Sequence, residues 1–198
     1  MRALALVATL LAVCAVAPPA LAIEEPAYEV VQQSDELELR DYAPYFIVST
    51  PAGTVFEDAG SQGFRTLFRY ISGANQSGED MAMTAPVLQA RGEEQWALAF
   101  VVPGSYAPDA IPVPQAEGVR IERVPGGLYA AARFSGRWTE QRFMDQEVQL
   151  LARIESAGLQ VCGPTRFARY DPPFKPAFMR RNEILIPVGK ESCPAPAN

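Results

Sequence analysis

The chain has 198 residues, 48% of them hydrophobic and 20% charged, with 18 prolines, 14 glycines, 3 cysteines and no histidine. Setting aside the first 22 residues, which carry Arg2 and no acid, leaves 16 Lys plus Arg against 23 Asp plus Glu. That acidic balance argues against a nucleic-acid or anionic-membrane surface as the main partner. The missing histidine removes Ser-His-Asp and Cys-His catalysis and imidazole metal sites together.

In chain order, Arg2 precedes an apolar run from Ala3 to Val16, followed by Pro18, Pro19 and the small-residue site Ala20-Leu21-Ala22. This is the pattern of a cleaved export signal, too short for a membrane span. The expectation is a signal peptide over 1–22 and one soluble domain over 23–198, periplasmic or secreted, with no membrane insertion after cleavage. Strands are predicted at Tyr28–Gln33, Glu36–Arg40 and Tyr45–Thr50. A helix follows within Val55–Ile71, with Phe64, Leu67, Phe68 and Ile71 spaced as one apolar face and Arg65 and Arg69 beside it. Gly73 breaks that helix, and the loop Ser72–Thr84 brings in Met81 and Met83. At i, i+2 in an extended segment their thioethers share a side, suited either to core filling or to a soft wall against a flat ligand. Strands at Pro86–Ala90, Trp96–Val102, Val119–Val124 and Leu128–Phe134 lead to a second helix. That helix is capped by Thr139, carries Met144, Val148, Leu150, Leu151 and Ile154, and ends at Gly158. Strands at Arg166–Tyr170 and Glu183–Val188 close the pattern.

Between those last strands lies DPPFKPAFMRR, where Pro172, Pro173 and Pro176 fix φ and donate no backbone hydrogen bond. The result is a stiff lip that offers Phe174, Phe178 and Met179 as apolar contacts and Lys175, Arg180 and Arg181 as charge, a combination suited to an amphipathic, anionic ligand.

Shifting the chain against itself by 83 residues aligns Arg40 with Arg123, Gly53 with Gly136, Leu67 with Leu150, Ile71 with Ile154 and Ala74 with Ala157. Two units, about 28–103 and 118–188, therefore share a strand–turn–strand–helix order. Many strands with two helices predict an α+β domain: a distorted antiparallel barrel or curved sheet with two flanking helices and a pseudo-two-fold repeat. After removal of the signal, Cys162 and Cys193 remain as an even pair, and an oxidising compartment makes them a disulfide candidate.

No nucleophile elbow, phosphate-binding loop or dinucleotide fingerprint is present, and no Cys-x-x-Cys-His for covalent haem. The acidic pairs Glu24-Glu25, Glu57-Asp58, Glu79-Asp80 and Glu93-Glu94 read as solvated surface. The sequence names no catalytic group and no metal ligand set.

Taken in order, Glu25-Pro26-x-Tyr28-Glu29-Val30, Gly63-Phe64-Arg65-x-Leu67, Tyr70-Ile71-x-Gly73-x-Asn75, Met83-Thr84-x-Pro86-Val87, Phe134-Ser135-Gly136 and Arg180-Arg181-Asn182-Glu183 resemble the SOUL haem-binding family from about Glu25 to Val188. The resemblance implies a distorted antiparallel β-barrel flanked by two helices, and reversible, non-enzymatic binding of haem or a related tetrapyrrole in a shallow apolar groove. Carried onto this chain, the groove would lie beside the first helix (Phe64, Arg65, Phe68, Arg69) and beneath the late loop (Tyr170, Phe174, Lys175, Met179, Arg180), with Met81 and Met83 nearby. Arg or Lys would hold the propionates. Phe64 and Phe68 stand where methionines are typical of the family. The histidine proposed as axial ligand in some relatives has no counterpart, so iron would be met by Met, Tyr or Cys, or left to solvent. Two other readings are a tetrapyrrole-processing enzyme that removes the metal near Tyr170, and a small-molecule or protein interaction module that binds no haem; the protein partner is unknown.

Overall fold

The fold was analysed in a computed structural model that describes residues 23–34, 37–92, 94–190 and 193; the predicted export signal lies outside them. Ten strands and two helices follow one another as β1 (Tyr28–Gln33), β2 (Glu38–Tyr42), β3 (Tyr45–Pro51), α1 (Phe56–Ile71), β4 (Val87–Arg91), β5 (Trp96–Val101), β6 (Arg120–Val124), β7 (Gly127–Phe134), α2 (Glu140–Ser156), β8 (Gln160–Val161), β9 (Arg166–Arg169) and β10 (Asn182–Gly189). Two 3₁₀ turns, Pro108–Ala110 and Ala177–Met179, and the short β8 have no antecedent in the periodicity, because each is set by local turns and by pairing with β10. The predicted strand Glu36–Arg40 sits two residues later, at Glu38–Tyr42, in register with β1 and β7.

The strands form a strongly curled antiparallel sheet in the order β1-β2-β7-β10-β9-β4-β5-β3-β6, with β8 paired to the far part of β10. Exchanging β2, β3, β4 and β5 with β6, β7, β9 and β10 reverses this order and reproduces it, β1 being an addition at one edge. The β4·β9 pair therefore lies on a pseudo-two-fold axis. Its register pairs Val87 with Arg169 and Gln89 with Phe167, and the exchange takes Arg91, the last residue of β4, to the place of Arg169, the last of β9. The turn from β6 to β7 passes through Gly126 at φ +79°, where a Cβ would come within 2.5 Å of the Tyr42 carbonyl oxygen, so only glycine fits.

One face of the sheet carries both helices, α1 over β3 and β5 and α2 over β7 and β10. The main core lies there: Phe56, Leu67 and Tyr70 of α1, Phe143, Leu150 and Ile154 of α2, and Leu98, Phe100, Phe167, Ile184 and Ile186 of the sheet. Both helices are rotated from the predicted faces. In α1, Gly63 lies directly on β5, since a Cβ there would fall 2.6 Å from the Leu98 Cβ. The buried line accordingly runs Phe56, Ala59, Gly63, Leu67, Tyr70, and Phe64 and Phe68 turn out to the surface. In α2, Phe143 fixes the rotation by packing among Phe56, Phe134 and Phe167. Val148 and Leu151 are exposed as a result, while Leu150 and Ile154 are buried as predicted. Cys162 and Cys193 are disulfide-bonded, with their Cα atoms 5.1 Å apart, and fasten Cys193 beside β8 and β10.

The other face is the hollow of the curl. Arg166 on β9 reaches both Tyr45 on β3, by a 2.8 Å hydrogen bond, and the ring of Tyr129 on β7, strands on opposite flanks of it. The hollow is filled by Tyr42, Tyr129, Leu88 and Leu185 over the small Ala99, Ala131 and Ala168. What remains, between Tyr28, Tyr42, Tyr45 and Tyr170, is a cavity of about 10 Å³, room for one water.

Candidate functional site

On α1 the residues Gly60, Phe64 and Phe68, spaced by four, form an outward stripe. Phe64 and Phe68 stack at 5.9 Å with 11° between their planes, and Phe64 also meets the buried Phe100 edge-on at 5.2 Å. They are 37% and 49% exposed. Arg65 and Arg69 stand exposed beside them, without salt-bridge partners among the described residues.

The lip, residues 171–181, leaves the sheet at Arg169 and returns at Asn182, beside the start of β4. Its shape is held by its own polar groups. The Asp171 carboxylate accepts hydrogen bonds from Lys175 Nζ and from the Arg181 amide, both at 2.5 Å. Although partial burial alone would raise its pKa, those donors hold Asp171 below the usual carboxylate range. Arg180 Nε donates to the Lys175 carbonyl at 2.8 Å, its Nη2 to that of Pro173, and its guanidinium lies 4.5 Å from the Trp138 ring centroid. The Gly136 amide donates to the Ala177 carbonyl at 2.9 Å. Lys175 and Arg180 are thus engaged in building the lip, while Phe174, Phe178 and Met179 stand 86%, 77% and 57% exposed.

Arg169 joins stripe and lip. Its guanidinium lies against Gly60 on one side and 5.3 Å from the Trp138 ring centroid on the other, with Trp138 bonded to Asn182 at 2.8 Å. The sequence-based reading missed Arg169, Gly60 and Trp138. A signal for Arg169 existed: Phe167 and Arg169 share one side of β9, so a charge stands in the core phase.

The remaining predicted site residues divide. Met83 reaches the surface at 36% exposure, whereas Met81 is a core residue, 7% exposed. The two thioethers do not share a surface, because the segment around them has no strand partners to hold an alternating pleat. Tyr170 stands on the hollow face, opposite the stripe, for the same alternation that turns Arg169 toward the helices. There it donates at 2.8 Å to Glu183, a fully buried carboxylate that also takes Arg40 at 2.6 Å and Arg181 at 2.9 Å. Burial pushes the Tyr170 phenol far above its ordinary value, with the Glu183 charge adding to the effect, so it remains a donor and not a phenolate. Tyr28 lies under Arg40 and Tyr170 under Arg181 as cation–π partners. This network has a partner for each charge and reads as structural.

A second depression of about 300 Å³ lies between α2 and the β4–β5 turn, lined by Arg91, Trp96, Met144, Glu147 and Phe167 among others. Among the described residues no group of three or more His, Cys, Asp or Glu is placed to hold a metal ion. No helix of those residues is long and apolar enough to cross a membrane.

The chain is similar to known proteins in sequence and in fold. Heme-binding protein 1 of Mus musculus is 30% identical over 138 residues, which span 66% of this chain and 72% of that protein. Heme-binding protein 1 of Xenopus tropicalis is 29% identical over 161 residues, 74% of this chain and 80% of that one. Among solved structures, the EcmrR C-terminal domain superposes with a TM-score of 0.56 at 13% identity, covering 82% of this chain and 98% of that one. The EcmrR chain in a complex with DNA gives 0.61 at 12% identity over 78% of this chain, which spans only 57% of that one; at such identities the likeness is one of fold. The family model described as SOUL heme-binding protein matches residues 23–187, and the chain belongs to that family.

Proposed function

We propose that this protein binds haem or a related tetrapyrrole non-covalently on its helix-bearing face, with the macrocycle between the Phe64–Phe68 stripe and the Phe174–Met179 lip. The family supports binding of this ligand class, and the Heme-binding protein 1 relatives carry haem in their name. The observation that carries the placement is the apolar exposure. Phe174, Phe178 and Met179 project from a proline-stiffened lip, Phe64 and Phe68 stack half-exposed on α1, and Arg169, against Gly60 and Trp138, links the two elements. A flat apolar ring system fits such a surface. Burying a few hundred Å² against it contributes several kcal/mol at ~25 cal/mol/Å², offset by the cost of association.

The groups present fit a tetrapyrrole held by contact and charge, without histidine. Cys162 and Cys193 are committed to each other, and Tyr170 is turned into the hollow, which leaves the thioethers of Met83 and Met179 as the soft donors near this surface. Arg65 and Arg69, which flank the stripe without salt-bridge partners among the described residues, supply positive charge for propionates. The hollow face, filled by tyrosines and ion pairs, offers no comparable room. We place the mature protein in an exported compartment, where the disulfide is stable.

The test is titration of the purified protein with haemin and with iron-free protoporphyrin IX, followed by Soret absorbance and by quenching of Trp138. Similar affinities for the two support binding by contact. Failure to bind either overturns the reading. N-terminal sequencing of the protein from its native compartment checks cleavage after Ala22.

A further inference from the structure

Arg169 differs from the other buried charges of this protein. Arg40 and Glu183, equally buried, satisfy each other in a two-pronged pair. Arg169 is 9% exposed, yet no carboxylate among the described residues lies within salt-bridge distance of it. Its Nη2 donates to Gln89, a neutral amide, and its Nε is buried with no hydrogen-bond partner. The rings of Phe56, Trp138 and Phe143 surround the guanidinium at 5.2, 5.3 and 5.9 Å. Burial pushes its pKa down to about 10, with Glu57 opposing, so it stays charged at neutral pH. The Glu57 carboxylate is engaged elsewhere, accepting the Glu140 amide at 3.2 Å.

The first turns of α1 and α2 meet beside Arg169, where the Glu57 carboxylate of α1 accepts the Glu140 amide that opens α2. The absence of a side chain at Gly60 makes room for the guanidinium, since a Cβ there would stand 2.5 Å from Arg169 Nη1. The equivalent place in the other half, the end of β4, is taken by Arg91, which is exposed and pairs with Glu140 at 2.7 Å, so the buried and unpaired charge belongs to one half of the molecule only.

We propose that Arg169 is the receptor for a carboxylate of the bound ligand, at the foot of the groove where the two helices meet. The ligand class is then a flat, hydrophobic carboxylic acid, its body over Phe64, Phe68 and the lip and its acid end drawn to the helix junction. Lys175 and Arg180, occupied by Asp171 and by lip carbonyls, position the lip instead. This assignment rests on the reading of the groove as a tetrapyrrole site, and the experiment separates the two.

Wild type, Arg169→Met and Gly60→Ala are titrated with haemin and with haemin dimethyl ester, in which the carboxylates are blocked. The wild type is expected to prefer the free acid by about tenfold or more, the scale of one charge-assisted hydrogen bond. Arg169→Met abolishes that preference and leaves affinity for the ester within about twofold of wild type on the same scale. Gly60→Ala, which crowds the guanidinium in a helix that alanine favours, gives the same loss and carries the test if the methionine variant does not fold. A folded variant that keeps the preference overturns the role of Arg169 and leaves the tetrapyrrole reading intact. So does equal weakening toward acid and ester, which makes Arg169 a packing residue. Binding of neither compound by the wild type overturns both.

Discussion

Glu183→Ala tests whether the hollow face is held by its buried charges. Glu183 accepts from Arg40 at 2.6 and 3.2 Å, from Arg181 at 2.9 Å and from Tyr170 at 2.8 Å, at 0% exposure. Removing one partner of a buried pair costs about 3–5 kcal/mol, because the remaining charge stays desolvated. Here Arg40 keeps Glu38 at 2.5 Å and Arg181 keeps Glu25 at 2.8 Å, which places the expected loss at the lower end, about 3 kcal/mol. Urea unfolding followed by far-UV circular dichroism measures it, and in thermal scans it amounts to roughly 6–12 °C for a domain of this size. The loss also depends on pH. Burial alone would raise the Glu183 pKa, but Arg40 and Arg181 bring it below the ordinary value. A carboxylate with a depressed folded pKa contributes stability that is present above its unfolded pKa and lost as pH falls through the folded one. The wild-type advantage over Glu183→Ala is therefore full at pH 7 and shrinks below about pH 4. Replacing both Arg40 and Glu183 by leucine restores most of the stability. Haemin affinity stays at the wild-type level in the folded variant, since the network lies across the sheet from the groove. A loss under about 1 kcal/mol at pH 7, or an advantage unchanged at pH 3, refutes the reasoning.

Gly63→Ala places a methyl group 2.6 Å from the Leu98 Cβ and is expected to destabilise by about 1–3 kcal/mol despite the better helix propensity of alanine, read by urea midpoint. Reduction of Cys162–Cys193, 31 residues apart in sequence, is expected to cost about 3–4 kcal/mol, seen as a lower urea midpoint with dithiothreitol than without. Phe174→Ser with Phe178→Ser leaves stability within about 0.5 kcal/mol, because both rings are exposed in the free protein, while it weakens haemin binding in a Soret titration by about tenfold or more.

Strand and helix positions were legible because alternation and helical spacing are local: β1 matches its predicted limits, and α1 starts one residue inside its own. The rotation of the helices was not. In α1 the spacing of Phe64, Leu67, Phe68 and Ile71 is helical, but which side faces the sheet depends on Gly63 meeting Leu98, a contact that no run of neighbours encodes. The lip was visible in its prolines, and its exposed phenylalanines are where a stiff amphipathic loop puts them. The duties of its cations were hidden, since Lys175 and Arg180 find their partners within the loop and on Trp138. Tyr170 and Arg169, adjacent in sequence, face opposite sides of the sheet, and only the phase set by Phe167 separates them.

The two halves of the molecule differ most at equivalent connections. Between β4 and β5 the chain crosses in four residues, whereas between β9 and β10 it takes twelve, Tyr170 through Arg181. Both connections close the same kind of strand pair, so the ladder does not depend on the longer one. Lengthening a surface connection costs little in closure entropy, which grows only with the logarithm of its length. Fold and surface are to that extent separable: one half keeps the connection the sheet requires, and the other carries an insert whose sequence can change without renegotiating the sheet.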